Sequence, residues 1–264
     1  GFVPGYFTAD PWCPSLPGLE GTSGGGDFVK GNGWGMGGQT LHMGPGAYIR
    51  FTAMFDDLTV QYVNDAVAGA DVTLLIDNVP YTLPGRTTGS NYVVTNWDAP
   101  KQTLKQHTVE IRNGLQPGAW ASVLLCGLFF YAGDKGKGVH VWDAAKSGVS
   151  ANEFATNKAG VAAGIAKAAP SLVSIELGYN DAWLGRTPAQ YKTDMLAIIA
   201  EIKSACTAAG KPVPAFLLIA GYDPGPAMYG NQPEPWQNYV AAMRSIATAD
   251  TTNVAMVDLT TAMP

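Results

Sequence analysis

The chain has 264 residues, 47% apolar and only 14% charged, which describes one large domain or two ordinary ones with a well-buried core and excludes a disordered chain. A net charge of −5, with no run of Lys or Arg, excludes nucleic acid and anionic membrane surfaces as partners. No apolar stretch approaches the ~20 residues that a membrane span requires.

Residues 1–26 are rich in Gly, Pro and Ser and read as loop or linker, with Phe7 and Trp12 as anchors. From Asp27 to Gly133 the sequence changes to short runs of period two. These include Ala47 to Thr52, Leu58 to Val63, Val72 to Asp77, Tyr92 to Val94, Thr108 to Ile111 and Val123 to Leu125. Such runs, parted by Gly, Pro, Asn and Asp, predict a β-sandwich over 27–133, with Asp77-Asn78 as a hairpin turn.

After Gly138 the period switches. Val139 to Trp142 reads as a short strand. Ser150, with Glu153 three positions on, forms a capping box for a helix that runs to about Ala169 and stops at Pro170. Leu172 to Leu177 reads as a buried strand. Thr187 and Pro188 open the next helix, whose apolar stripe is Tyr191, Met195, Ile198, Ile199, Ile202 and Cys206, and Gly210 and Pro212 end it. A strand over 215–220, a helix over 235–247 and a strand over 253–259 follow. Strand and helix alternate throughout 139–264, which predicts an α/β layer on a parallel sheet. The chain opens on Gly1 without Met and stops at Pro264 directly after a strand-like run, so both ends read as cuts through a longer protein.

In such sheets chemistry collects in loops at the carboxyl ends of strands. Two loops stand out: Asp143 to Ser150, containing Ser147-Gly148, and Gly178-Tyr179-Asn180-Asp181. A glycine there lets the backbone approach a ligand and offers its N–H to a developing oxyanion, and the Asn side chain supplies a second donor. Each motif alone is also compatible with an ordinary turn.

Together, in this order and on this strand pattern, they resemble the SGNH (GDSL-like) hydrolase family. Its second block is similar to the Ser147-Gly148 loop and its third, Gly-x-Asn-Asp, to Gly178 to Asp181. The run Ile175 to Gly185 looks like bacterial lysophospholipase/thioesterase members. The resemblance covers nearly all of 139–264. It implies an SGNH-like three-layer α/β fold in which the Gly148 N–H and the Asn180 side chain form the oxyanion hole for ester hydrolysis.

The chain also departs from the family. The nucleophile of the family sits in a Gly-Asp-Ser block, but here Gly26-Asp27 is followed by Phe28 and Gly133-Asp134 by Lys135. An Asp-x-x-His block should follow the last strand, but Asp258 precedes Leu259-Thr260-Thr261 and reads as a strand-end residue. His42, His107 and His140 read as structural. The β-rich half resembles the jelly-roll of two-domain carbohydrate acetyl esterases, and only Ala132 to Gly138 separate it from the second-block strand. The expected arrangement is therefore a jelly-roll inserted in a hydrolase domain, with the first strand, the nucleophilic Ser and the Asp-x-x-His outside residues 1–264. The Gly- and Trp-rich, Lys-poor composition is similar to that of tail proteins from phages of actinobacteria, which implies an extracellular or virion-associated protein.

Two functional readings follow. One is a serine esterase that removes acyl or acetyl groups from a carbohydrate or lipid. The other is a non-catalytic glycan-binding or structural virion component, in which Trp34, Trp97 and Trp120 are candidates either for glycan stacking or for core packing. No cofactor is expected, because there is no Gly-x-Gly-x-x-Gly between strand and helix, no Walker sequence and no His-Glu-x-x-His. Nor is a metal: Cys13, Cys126 and Cys206 are far apart without a Cys-x-x-Cys, and Cys126 and Cys206 read as buried thiols.

Overall fold

Alternating side chains build the first of the two units of the chain, Gly1–Ala145, and helical periodicity builds the second, Lys146–Pro264. The computed structural model describes residues 6–8, 19–20, 28–64, 72–83, 93–114, 123–142, 144–146, 148–223 and 235–260.

The first unit contains β1 (Tyr6–Thr8), β2 (Leu19–Glu20), β3 (Phe28–Asn32), β4 (Gln39–Met43), β5 (Tyr48–Phe55), β6 (Asp57–Asn64), β7 (Val72–Ile76), β8 (Val79–Thr82), β9 (Val93–Asp98), β10 (Lys105–Asn113) and β11 (Val123–Tyr131). One antiparallel sheet has the order β3-β4-β11-β6-β9, with β1 also on β11, and the other β2-β5-β10-β7-β8. From β4 to β11 every connection except the β7–β8 hairpin crosses from one sheet to the other. The inner faces share one core. Leu41, Leu58, Val60 and Phe130 of the first sheet pack with Phe51, Phe55, Leu74 and Val109 of the second. Phe130 meets Phe51 edge-on at 5.6 Å. This is the predicted two-sheet architecture.

Asp77 and Asn78 close the β7–β8 hairpin with φ of 51° and 67°. Positive φ at both central residues is the twist-matched turn that Asn and Asp tolerate. β8 lies just past this turn, and the sequence reading had not continued the hairpin into it. β1 and β2 fall in the stretch read as loop. They are three and two residues long, too short for a period to show.

The second unit contains α1 (Ala151–Thr156), α2 (Lys158–Ala168), β12 (Leu172–Ile175), α3 (Tyr179–Trp183), α4 (Pro188–Ala208), β13 (Ala215–Ala220), α5 (Trp236–Ala249) and β14 (Val254–Asp258). The strands form a parallel sheet in the order β12-β13-β14. The buried residues of α4 are the six predicted from its stripe, and Thr187 with Gln190 closes a full capping box on its first turn.

Three expectations change here. The single helix predicted over 150–169 is two, because Asn157 leaves helical geometry (φ −102°, ψ 15°) and its side chain bonds the Glu153 carbonyl at 3.1 Å. Residues 139–142 form no strand. Val139 and Val141 are exposed, and no described strand pairs with them. β12 is not a fully buried strand either. Leu172 is 54% exposed, and β12 has a described partner only on its β13 side.

Burial in the sheet alternates. The face carrying Ile175, Phe216, Leu218, Ala220 and Val254 is buried. The opposite face, with Leu172, Ser174, Ala215, Ala255 and Val257, is exposed. Parallel sheets ordinarily have both faces covered. The described residues therefore supply a sheet and helices on one side of it, two of the three layers expected.

Candidate functional site

The two loops singled out in the sequence meet at the start of α1. In the first, Ser150 is the N-cap: its Oγ accepts the Glu153 N–H at 3.2 Å. The other half of the expected capping box is absent, because the Glu153 carboxylate pairs with Lys146 instead. Gly148 is exposed with φ of +73° and open space where a Cβ would stand. Asp143 and Ser147 lie outside the described residues.

The second loop begins where β12 ends. Gly178 has φ of +127°, and a Cβ there would lie 3.0 Å from the Trp236 ring, so only glycine fits both the turn and the packing. It precedes α3, whose first turn carries Asn180 and Asp181. Asn180 Nδ2 donates to the Val149 carbonyl at 2.8 Å. Asp181 is fully buried, and its carboxylate accepts the Ala151 N–H at 2.8 Å and the Asn152 N–H at 3.4 Å. A carboxylate at a helix N-terminus is stabilised by unpaired N–H groups and by the helix dipole. Burial nevertheless pushes the Asp181 carboxyl above its usual range, against those two hydrogen bonds and the nearby Arg186. Arg186 Nε stands 3.9 Å away, a charge contact and not a hydrogen bond, and its Nη2 bonds Asp194.

Asn180 and Asp181 thus hold the Gly148–Ser150 turn from across the unit. One N–H of the Asn180 amide is used on Val149, and the same nitrogen carries a second. The backbone N–H of Gly148 lies next to the residue that Asn180 grips. A polarised carbonyl oxygen can be met by donors of this kind. Asp181 caps α1, thirty residues earlier in the chain, and no local pattern in the sequence signals that.

Behind the second loop stand aromatic rings. The Tyr179 ring stacks on Trp236 at 4.5 Å, and its hydroxyl donates to the Tyr222 carbonyl at 2.5 Å. Burial, with Glu176 alongside, pushes the Tyr179 hydroxyl up to about 12.

The other candidates are structural where they are described. His107 is buried in the first unit, with Nδ1 2.9 Å from Asp77 Oδ2 and Nε2 2.8 Å from the Thr103 carbonyl. Both ring nitrogens thus face acceptors. His42 pairs with Thr40, and His140 lies against Tyr131 and Trp142. Asp258 pairs with Arg244 and caps the Thr260 N–H. Trp34 packs against Val63, Leu124 and Cys126, and Trp97 against the sandwich core. Trp120 and Cys13 lie outside the described residues. Cys126 and Cys206 are buried, and burial raises both thiols above their ordinary range. Among the described residues no group of His, Cys, Asp and Glu could hold a metal ion, and no helix is long and apolar enough to cross a membrane.

Residues 118–264 match the model of the GDSL-like Lipase/Acylhydrolase family, from within the β-rich half to the end of the chain. No curated protein matches in sequence. Among solved structures, a peptidoglycan O-acetylesterase is similar over 100% of this chain and 71% of its own, with a TM-score of 0.68 at 14% identity. That is a likeness of fold. A family two carbohydrate esterase from Cellvibrio japonicus aligns over 96% of this chain and 88% of its own, at 13% identity and a TM-score of 0.33. A two-domain esterase active on acetylated mannans aligns over 36% and 27%, at 17% identity and a TM-score of 0.31.

Proposed function

The chain belongs to the GDSL-like lipase/acylhydrolase family, and we propose that its α/β unit is the oxyanion-stabilising part of a serine esterase that cleaves acyl or acetyl esters on a carbohydrate or lipid. The observation that carries this reading is the bond from Asn180 to the Val149 carbonyl, which sets an amide donor beside the Gly148 turn. In the proposed reaction a serine attacks the ester carbonyl, a histidine takes its proton, and the Gly148 N–H and Asn180 Nδ2 hold the oxygen that becomes negative.

The nucleophile and the Asp-x-x-His are assigned to chain outside residues 1–264. Two features support that assignment. No Gly-Asp-Ser occurs in the sequence, and among the described residues β12 has no partner strand on its outer edge while one sheet face is uncovered. In this reading residues 27–133 are a jelly-roll inserted into a hydrolase domain that resumes at 139. The sheet-to-sheet crossings of β4 to β11 suit that topology. The reading includes an extracellular or virion-associated place for the protein.

The test is hydrolysis of p-nitrophenyl acetate. Residues 1–264 should turn over no faster than a control protein, and the chain extended at both ends should be active and labelled by a fluorophosphonate. In the extended protein Asn180→Ala should lower kcat by about 10²–10³-fold with little change in KM, as for loss of one oxyanion donor. Full activity in Asn180→Ala overturns the assignment. An extended chain with no serine to label returns the protein to a non-catalytic glycan-binding or virion role.

A further inference from the structure

α3 carries more than the oxyanion donor. Trp183, the last residue of α3, stands three residues after Asn180 and so shares its side of the helix, and Leu184 follows as the C-cap. Both are exposed, Trp183 by 51% and Leu184 by 64%. A tryptophan half in water beside a reactive group is not core packing, since the α3 residues that do pack inward are Asp181 and Ala182. Trp183 also follows Tyr179 by one turn.

Tyr179 leads to a second exposed ring. Its centroid is 6.1 Å from that of Tyr222, which is 60% exposed and sits just past the carboxyl end of β13. Gly221 makes this approach possible: a Cβ there would lie 2.2 Å from the Tyr179 hydroxyl. The carboxyl ends of β12 and β13 are neighbouring parallel strand ends, where ligands of open α/β sheets bind. Exposed aromatic rings therefore stand on either side of Tyr179: Tyr222 beside its ring, and Trp183 one turn further along the helix that carries Asn180.

We propose that Trp183 and Tyr222 form a platform for the sugar rings of the substrate, so that the ester is carried by a neutral glycan and not by a phospholipid. The proposal deepens the esterase reading and rests on it for the ester alone. Flat aromatic faces that stay exposed suit the apolar faces of sugar rings, whereas an acyl chain needs a concave apolar site that removes it from water. Charge points the same way. Glu176 and Asp223 lie close enough to Tyr179 to disfavour its ionisation. The exposed Glu176 carboxylate can accept hydrogen bonds from sugar hydroxyls, and the negative charge of the pair repels a phosphate headgroup.

The experiment reads binding without catalysis. The 264-residue chain is titrated with a tetrasaccharide of N-acetylglucosamine and, separately, with short-chain phosphatidylglycerol, whose headgroup carries only the phosphate charge, below its micelle concentration, following tryptophan indole N–H resonances. The tetrasaccharide should shift the Trp183 indole signal saturably. Trp183→Ala and Tyr222→Ala should each weaken its binding at least tenfold, and Trp183→Phe should restore most of it. Three results overturn the proposal: no binding of the tetrasaccharide, binding that neither alanine variant weakens, or a response to the phospholipid alone. Ester hydrolysis by the extended protein is scored separately, so a failed platform and a failed esterase assignment remain distinct.

Discussion

The two units place their polar side chains to different ends. In the β-sandwich, Glu110 is paired with Arg50 and Arg112, and His107 with Asp77, all on the β10–β5–β7 side of a closed core. The Arg50–Glu110 pair joins neighbouring strands β5 and β10, Arg112 lies on the same strand as Glu110, and His107 of β10 meets Asp77 in the turn after β7. In the α/β unit, buried Asp181 reaches from α3 to the N-terminus of α1 and positions a loop. The sheets differ in the same sense. Each sandwich sheet has the other to cover its inner face, whereas the three-stranded sheet covers one face and exposes the other. The sandwich completes its packing among the described residues. The α/β unit leaves one sheet face uncovered among the described residues and an exposed tryptophan on the helix that carries Asn180.

The sharpest way to break this comparison is to truncate opposite faces of the small sheet. Leu218 is fully buried, and Leu218→Ala should cost about 2–5 kcal/mol, the range for lost burial plus a residual cavity. Val257 is 40% exposed on the other face, and Val257→Ala should stay within about 0.5 kcal/mol. Urea unfolding followed by circular dichroism measures both, and equal losses would show that the open face is covered in solution.

A smaller effect separates the two glycines of the site. Gly178→Ala meets both a positive φ and the Trp236 ring at 3.0 Å. It should cost more than the roughly 1–2 kcal/mol of left-handed backbone strain alone. Gly148→Ala has the same kind of φ but open space around it, so it should cost no more than that strain. A thermal melt that ranks them in reverse would remove the packing argument for Gly178.

The smallest effect is a pH dependence in the sandwich. The Thr108 N–H, then the Lys105 ammonium and His107, hold the Asp77 carboxyl down at about 2. A folded-state value below the unfolded one means that Asp77 contributes its full stability above pH ~4, and that this contribution is lost as pH falls from there through about 2. The side chain is 36% exposed, so screening reduces the contribution to about 1 kcal/mol. Asp77→Asn should therefore destabilise the chain at pH 6 and matter much less at pH 2.5, as read by urea midpoints. A constant difference across that range would refute the linkage.

Much of this was legible in the chain. The α4 stripe, the Thr187 cap, the Asp77-Asn78 turn and the period-two runs of the sandwich depend on neighbours within a few residues, and such patterns repeat locally in sequence. Gly178 to Asp181 was legible as a motif because a strand end, a glycine and a polar turn fall within four residues. The misses share a different cause. Val139 to Trp142 looks like a strand, but a strand requires a partner, and none of the described strands provides one. Leu172 looks buried because it is leucine, but its exposure follows from its place at the edge of the sheet.

By itself, then, the sequence determined the two kinds of architecture, the strands and helices with the clearest period, and the pair of loops in which Gly148 and Asn180 lie. Local propensity and hydrophobic period act over a turn or a pleat, and those features need nothing longer. Only the tertiary structure decided that Asp181 caps α1, that Tyr179 bridges Trp236 and Tyr222, and that Trp183 stays in water beside Asn180. Each of these depends on which groups, tens of residues apart, the packed chain brings within a few ångströms, and which it leaves to the solvent.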